Sequence, residues 1–180
     1  IPSKPFCFYL CFSKNEIMLS NTLEAKLQEQ VKMEAYSSQA YLAMACWAEV
    51  NGYEGAANFL YAHSDEERMH MLKLVKFINE RGSQTIIPAL DSPTGSYDSL
   101  KHVFQTVLNH EIKVTKSINE IIDLCISEKD HLTNNFMQWY VSEQMEEEML
   151  ARTLIDKLNI INDDSTGLYI FDNELGTREA

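Results

Sequence analysis

From about residue 22 onward, apolar residues return alternately three and four positions apart along four long stretches, the spacing that lines one side of a helix. The first seam reads Leu23, Leu27, Gln30, Glu34, Ser37, Tyr41, Met44, Ala48, and the second Ala56, Leu60, His63, Glu67, His70, Leu74, Phe77. The third reads Leu100, Phe104, Val107, Glu111, Val114, Ile118, Ile121, Cys125, and the fourth Met137, Tyr140, Gln144, Glu147, Ala151, Leu154, Leu158. Helices are therefore predicted over 22–51, 54–82, 98–129 and 130–160. Ser, Asn and Asp stand at or before the starts, and Gly52 and Gly82 stand at two of the ends. At 1.5 Å per residue each helix is about 42–45 Å long.

The connections within the first pair and within the last pair are only a few residues long, so each pair must run antiparallel. Between the pairs lies "SQTIIPALDSPTGSY", with two prolines and a glycine. At ~3.3 Å per residue this segment reaches about 50 Å, enough to return the chain to its starting end and set the second and third helices parallel. The expectation is an all-α protein: a four-helix bundle with one long crossover and a short C-terminal helical tail. Residues 1–17 have no helical period and no A-x-A cleavage site, so they read as an upstream extension outside the fold rather than a signal peptide. Met18 reads as the natural start, and 18–180 as the single bundle domain.

Composition narrows the partners. The chain has 27 acidic and 15 basic side chains, a net charge of −12 and a pI near 4.8, which disfavours nucleic acid and favours cations. No apolar run approaches the ~20 residues needed to span a bilayer. The four cysteines form neither a disulfide framework nor a CxxC site; Cys46 and Cys125 fall inside helical runs and read as buried thiols. A reducing compartment, hence the cytoplasm, is the expected setting.

Every seam carries a carboxylate near its middle, and midpoints meet in a bundle whichever way each helix runs. Glu34, Glu67 with His70, Glu111, and Glu147 with Gln144 should therefore converge at one level of the core. Four buried carboxylates cannot all ionise against one another without a cation, so the layer predicts metal. Carboxylates with one imidazole and no thiolate suit iron, manganese or, less selectively, zinc. The spacing matches the two-metal pattern of bundles, a Glu from each of two helices and a Glu-x-x-His from each of the others. It departs from that pattern at Gln144-x-x-Glu147, which predicts one weaker metal position and suits metal in transit. His63 reads as a hydrogen-bonded core histidine, and Tyr41 as core or as a redox or supporting neighbour of the site. Trp139 reads similarly. Glu148 reads as part of a solvated face, whereas Glu66, Glu143 and Glu146 flank the site and offer a third cation position.

The segments "LQEQVKMEAYSSQAYLAM", "YEGAANFL", "EERMHM", "QWYVSEQMEEE" and "GLYIFDNEL" resemble the bacterial non-haem ferritins, over 18 to about 176. The resemblance implies a ferritin-like fold and a hollow shell of 24 subunits that oxidises ferrous iron with O2 or H2O2 and stores ferric mineral. It implies a first iron site at Glu34, Glu67 and His70, and a second at Glu67 (bridging), Glu111 and Glu147 with Gln144 alongside. A third would comprise Glu66, Glu143, Glu146 and Glu147, and Tyr41 would supply an electron beside the dinuclear centre. Met145 stands where close relatives can have histidine, at no ligand position, and the extension over 1–17 is not a family feature.

Other readings remain on the sequence alone. A diiron enzyme that retains its metal, such as a peroxidase or oxygenase relative, is disfavoured by the missing second Glu-x-x-His and the absence of a rubredoxin-type cysteine cluster. A haem-containing relative with histidine on both sides of the site is disfavoured by Gln144-x-x-Glu147. A purely structural bundle leaves the seam carboxylates unexplained.

Overall fold

The structure, a computed structural model, describes residues 19–177. It contains α1 (Asn21–Val50), α2 (Glu54–Glu80), α3 (Leu100–Glu128), α4 (His131–Ile161) and α5 (Ser165–Gly176), with no strand among the described residues. The expected boundaries hold to within two residues. Local chemistry explains the starts: the side chains of Ser20, Ser99, Asp130 and Asp164 accept hydrogen bonds from the backbone N–H groups of Leu23, His102, Thr133 and Gly167. Gly52 and Gly82 take up φ of 84° and 85° just past α1 and α2, a region that costs other residues strain. The division at residues 17 and 18 lies outside the described residues.

The start of α2 has no such local cap. Its cap comes from a distant part of the chain: Asp172 of α5 accepts from the backbone N–H of Gly55 at 3.1 Å and of Ala56 at 2.8 Å. A carboxylate there also complements the positive end of the helix dipole. The approach requires glycine, because a Cβ at Gly55 would lie 1.8 Å from the Asp172 carbonyl oxygen. The "EGAA" stretch thus encodes the docking of the C-terminal helix.

Arg81, just past α2, reaches the start of α4. Its guanidinium donates to Asp130 at 3.1 and 2.9 Å and to Thr133 at 2.7 Å. The C-terminal end of α2 therefore sits beside the α3–α4 turn, so α2 and α3 run parallel, as the crossover length requires. Residues 81–99 make that crossover. It is tied to α1 by Gln28, which accepts from Ile86 N–H and donates to the Gln84 carbonyl. None of the described helices is long and apolar enough to cross a membrane.

The core is divided. One apolar cluster holds Leu23, Leu27, Ile78, Ile121 and Met137 at the end where α1 starts. The other holds Ala48, Leu60, Phe104, Leu154 and, from α5, Phe171 at the opposite end. Between them, at mid-bundle, Glu34, Glu67, His70, Glu111, Gln144 and Glu147 are all buried. Three local expectations need correction. Ile78 rather than Phe77 is fully buried at the end of α2, because Phe77 turns toward α4 and stacks on Phe136 at 3.8 Å. Cys46 is exposed, since it points away from the seam of Met44 and Ala48. Glu148 is partly buried, accepting from Thr115 at 2.6 Å and pairing with Arg152.

Gly55→Ala is expected to push α5 off α2 and destabilise the chain by roughly 1–3 kcal/mol, as overpacking does. Thermal unfolding together with proteolysis of the C-terminal segment checks this; an unchanged melting temperature with α5 still protected would refute it.

Candidate metal centre

Each carboxylate of the buried layer is placed by the same three-and-four spacing that places its apolar neighbours, so the helices cannot hide Leu27 and Leu60 without hiding Glu34 and Glu67. Ligand atoms of Glu34, Glu67 and His70 all lie within 4.8 Å of one another, and all three residues are buried. Glu67 and His70 come together because positions three apart share a helix face, with His70 Nδ1 at 3.4 Å from Glu67 Oε2. That Glu67 oxygen receives no hydrogen bond and is sealed from solvent. An unsatisfied buried carboxylate oxygen is expensive unless a proton or a cation occupies its lone pair.

The electrostatics agree. Burial, then Glu67, pushes the Glu34 carboxyl well above the usual range; burial, then Glu111, does the same for Glu67. Burial raises Glu111, and burial followed by Glu111 and Glu66 raises Glu147 to about 8. In the metal-free chain burial thus favours the protonated form of each of these groups. A divalent cation would displace those protons.

Neutral donors orient the layer on the α1–α3 side. Ser117 donates to Gln30 Oε1 at 2.6 Å, and Gln30 donates to Glu34 Oε1 at 2.7 Å. Tyr41 donates to Glu111 Oε1 at 3.0 Å, and Gln144 to Glu111 Oε2 at 3.1 Å. Gln144 thus aligns a carboxylate through its amide nitrogen. Tyr140 donates to the His70 carbonyl at 2.8 Å, and the Trp139 ring meets the His70 ring edge-on at 5.2 Å.

The α2–α4 side is acidic and open. Glu66, His70 and Glu143 form a second close group, and His63, Glu66 and Glu147 a third. A surface cleft of about 640 Å³ reaches Glu66 and His70, with the Lys73 ammonium 3.4 Å above the Trp139 ring at its wall. Glu146 is exposed and stands outside all three groups, although its charge acts on Glu143. Glu111 belongs to none of them either; its charge acts on Glu67 and Glu147 while its oxygens are held by Tyr41 and Gln144.

A family profile described as the ferritin-like domain matches residues 24–161 of the chain. The chain belongs to the ferritin family. It is 44% identical over 159 residues to a probable bacterial non-heme ferritin-like protein of Haemophilus influenzae, covering 88% of this chain and 96% of that protein. It is 41% identical over 163 residues to a bacterial non-heme ferritin of Escherichia coli, covering 91% and 99%. Among solved structures, an open-pore ferritin from the archaeon Archaeoglobus fulgidus superposes with a TM-score of 0.89 at 37% identity, covering 91% of this chain and 99% of that one.

Sequence reasoning placed Gln30 on the seam without a role, and missed Ser117 and Lys73. Ser117 carries no signal, because a half-buried serine becomes an orienting group only when α1 lies against α3.

With its carboxyl raised from 4.5 to about 8, Glu147 keeps its proton in the folded chain over a window where the unfolded chain has lost it. The unfolded state thus binds fewer protons, and the metal-free protein loses stability as pH rises through that window. Melting temperatures across it should fall less steeply for Glu147→Gln than for the parent, and saturating Zn²⁺ should flatten the parent's fall. Parallel slopes for parent and variant would contradict the assignment.

Proposed function

We propose that this chain oxidises ferrous iron at the mid-bundle layer and stores the ferric product inside a shell built from copies of itself, 24 by resemblance to the family. The observation that carries this reading is the buried Glu34–Glu67–His70 group with its hydrogen-bond-free Glu67 oxygen. Family membership supports iron as the metal and storage as the purpose.

In this reading Glu34, Glu67 and His70 take one ferrous ion, and Glu67, Glu111 and Glu147 take the other, with Glu67 between the two. Gln144 and Tyr41 hold Glu111 in line. Tyr41 also stands close enough to supply an electron. Two ferrous ions give up two electrons, enough to take O2 to hydrogen peroxide or hydrogen peroxide to water. As each ion rises from 2+ to 3+, the surrounding carboxylates stabilise the added charge. Glu66, with Glu143 and Glu147 to either side, offers a third cation position on the open side, from which ferric product passes into the shell; Glu146 bears on it through its charge on Glu143. Iron is substrate and cargo here, and the reading involves no haem. Free thiols at Cys46 and Cys125 fit a cytoplasmic setting.

Glu67→Ala and His70→Ala should each slow the initial rate of ferrous oxidation at least tenfold, read by the rise in ferric absorbance, with the particle size on gel filtration unchanged. Equal initial rates in parent and variants would remove both residues from the site. Loading metal-free protein with excess Fe²⁺ in air should give iron far beyond a few atoms per chain, eluting with a large particle. Retention of only a couple of iron atoms on a small species would replace storage with a fixed diiron cofactor.

A further inference from the structure

Tyr41 and Trp139 both adjoin the mid-bundle layer, and they differ in what surrounds them. Tyr41 is buried, and its hydroxyl donates to Glu111 Oε1 at 3.0 Å. Trp139 is 36% exposed on the wall of the α2–α4 cleft. Its ring meets the His70 ring edge-on at 5.2 Å and the Tyr140 ring at 4.8 Å, so it abuts the Glu34–Glu67–His70 group directly. By position alone, either ring could give an electron to iron. Tyr140 is placed otherwise, since its hydroxyl donates to the His70 backbone carbonyl, which does not take a proton.

Lys73 makes the difference. Positions 70 and 73 share a face of α2, and the Lys73 ammonium lies 3.4 Å from the centre of the Trp139 ring. A cation over an intact aromatic face is attracted to it. Once the ring loses an electron, the same contact sets two positive charges against each other. Glu66 lines the same cleft and pulls the other way, so without Lys73 the ring would be the more readily oxidised. The Trp139 indole N–H also has no hydrogen-bond partner among the described residues, whereas the Tyr41 phenol has Glu111 to take its proton.

We propose that Lys73 withholds the electron of Trp139 and so leaves Tyr41 as the donor when iron falls one electron short. The inference rests on the dinuclear reading above and concerns its odd-electron case. When one ferrous ion meets one H2O2, breaking the O–O bond takes two electrons. Fe²⁺ gives one and becomes Fe³⁺; the Tyr41 phenol gives the other and becomes a phenoxyl radical. Its proton passes by way of Glu111 Oε1 to the departing oxygen, a second proton comes from solution, and two waters leave. Taken from Trp139 instead, that electron leaves a radical on the wall of a cleft open to solvent, where the indole is consumed. Lys73 touches no iron and acts only through the ring.

The metal-free full chain is mixed without air with one Fe²⁺ per chain and one equivalent of H2O2, frozen within milliseconds and examined by electron paramagnetic resonance. The parent should show a tyrosyl radical that Tyr41→Phe removes. Lys73→Gln should add an indole radical that Trp139→Phe removes. Peptide mass spectrometry of Lys73→Gln should find oxidised Trp139 raised roughly tenfold or more against Trp47. Lys73→Arg keeps a cation able to lie on the ring and should match the parent. A parent with no tyrosyl radical, or with an indole radical already present, overturns the inference. So does Lys73→Gln with Trp139 no more oxidised than in the parent. Equal oxidation in Lys73→Arg and Lys73→Gln overturns it too, since packing rather than charge would then protect the ring. A second arm uses no iron: NO2 radicals, neutral one-electron oxidants whose approach Lys73 does not steer, are generated around the metal-free chain. The ratio of oxidised Trp139 to oxidised Trp47 should again rise in Lys73→Gln, and an unchanged ratio overturns the inference whatever iron does. Ferrous oxidation as fast in Glu67→Ala as in the parent, with that ratio raised, sinks the dinuclear reading and leaves the protection of Trp139 by Lys73 standing. Should Lys73→Gln fail to fold, Lys73→Met takes its place.

Discussion

Burying four glutamates at one level of a helical bundle is the constraint on which the rest of this structure depends. A single ionised carboxylate in an apolar interior is costly, and several facing one another are worse. Burial raises the carboxyls of Glu34, Glu67, Glu111 and Glu147 together and so favours their protonated forms when no cation is present. The same groups are oxygen donors held close enough to take a cation in place of protons. The two apolar clusters on either side supply the hydrophobic stabilisation that lets the middle remain polar.

The layer has two unlike sides. Between α1 and α3, neutral donors such as Gln30, Ser117 and Tyr41 fix the carboxylates in place and add no positive charge to compete with a cation. Between α2 and α4, Glu66 groups with His70 and Glu143 and itself lines a cleft that reaches the surface. Carboxylates are thus fixed by hydrogen bonds on one side, while the other side opens to the surface through a cleft lined by Glu66, His70 and Lys73. Gln144 contributes to it, because an amide that aligns Glu111 leaves the α4 side short of one imidazole ligand.

The remainder of the fold holds this layer in register. Arg81 locks the end of α2 to the start of α4 through Asp130 and Thr133, and Asp172 caps α2 from α5 across the Gly55 contact. Both are long-range polar contacts at bundle ends, where a slip of one helix by a turn would carry Glu67 away from Glu34.

The four helices, their pairing, the crossover and the mid-level carboxylates were legible in the residues, because a three-and-four period specifies which side of a helix is buried and length specifies where midpoints meet. Glu34, Glu67, Glu111 and Glu147 were found by that logic alone. The period is silent on what faces each side chain across the helix gap. It therefore misjudged Phe77, which stays only partly buried at the edge of the core and stacks on Phe136, and Glu148, which Thr115 and Arg152 draw inward. His63 read as a core histidine, and its hydrogen bond to Phe59 bears that out; only the packing of α2 on α4 also brings it beside Glu66 and Glu147. The sequence by itself determined which side of each helix is buried and at what height along the bundle its carboxylate stands, since both follow from local periodicity. Which buried group touches which, and on which side the layer opens, was decided by tertiary structure, since those contacts depend on how each helix is rotated about its axis against its neighbours.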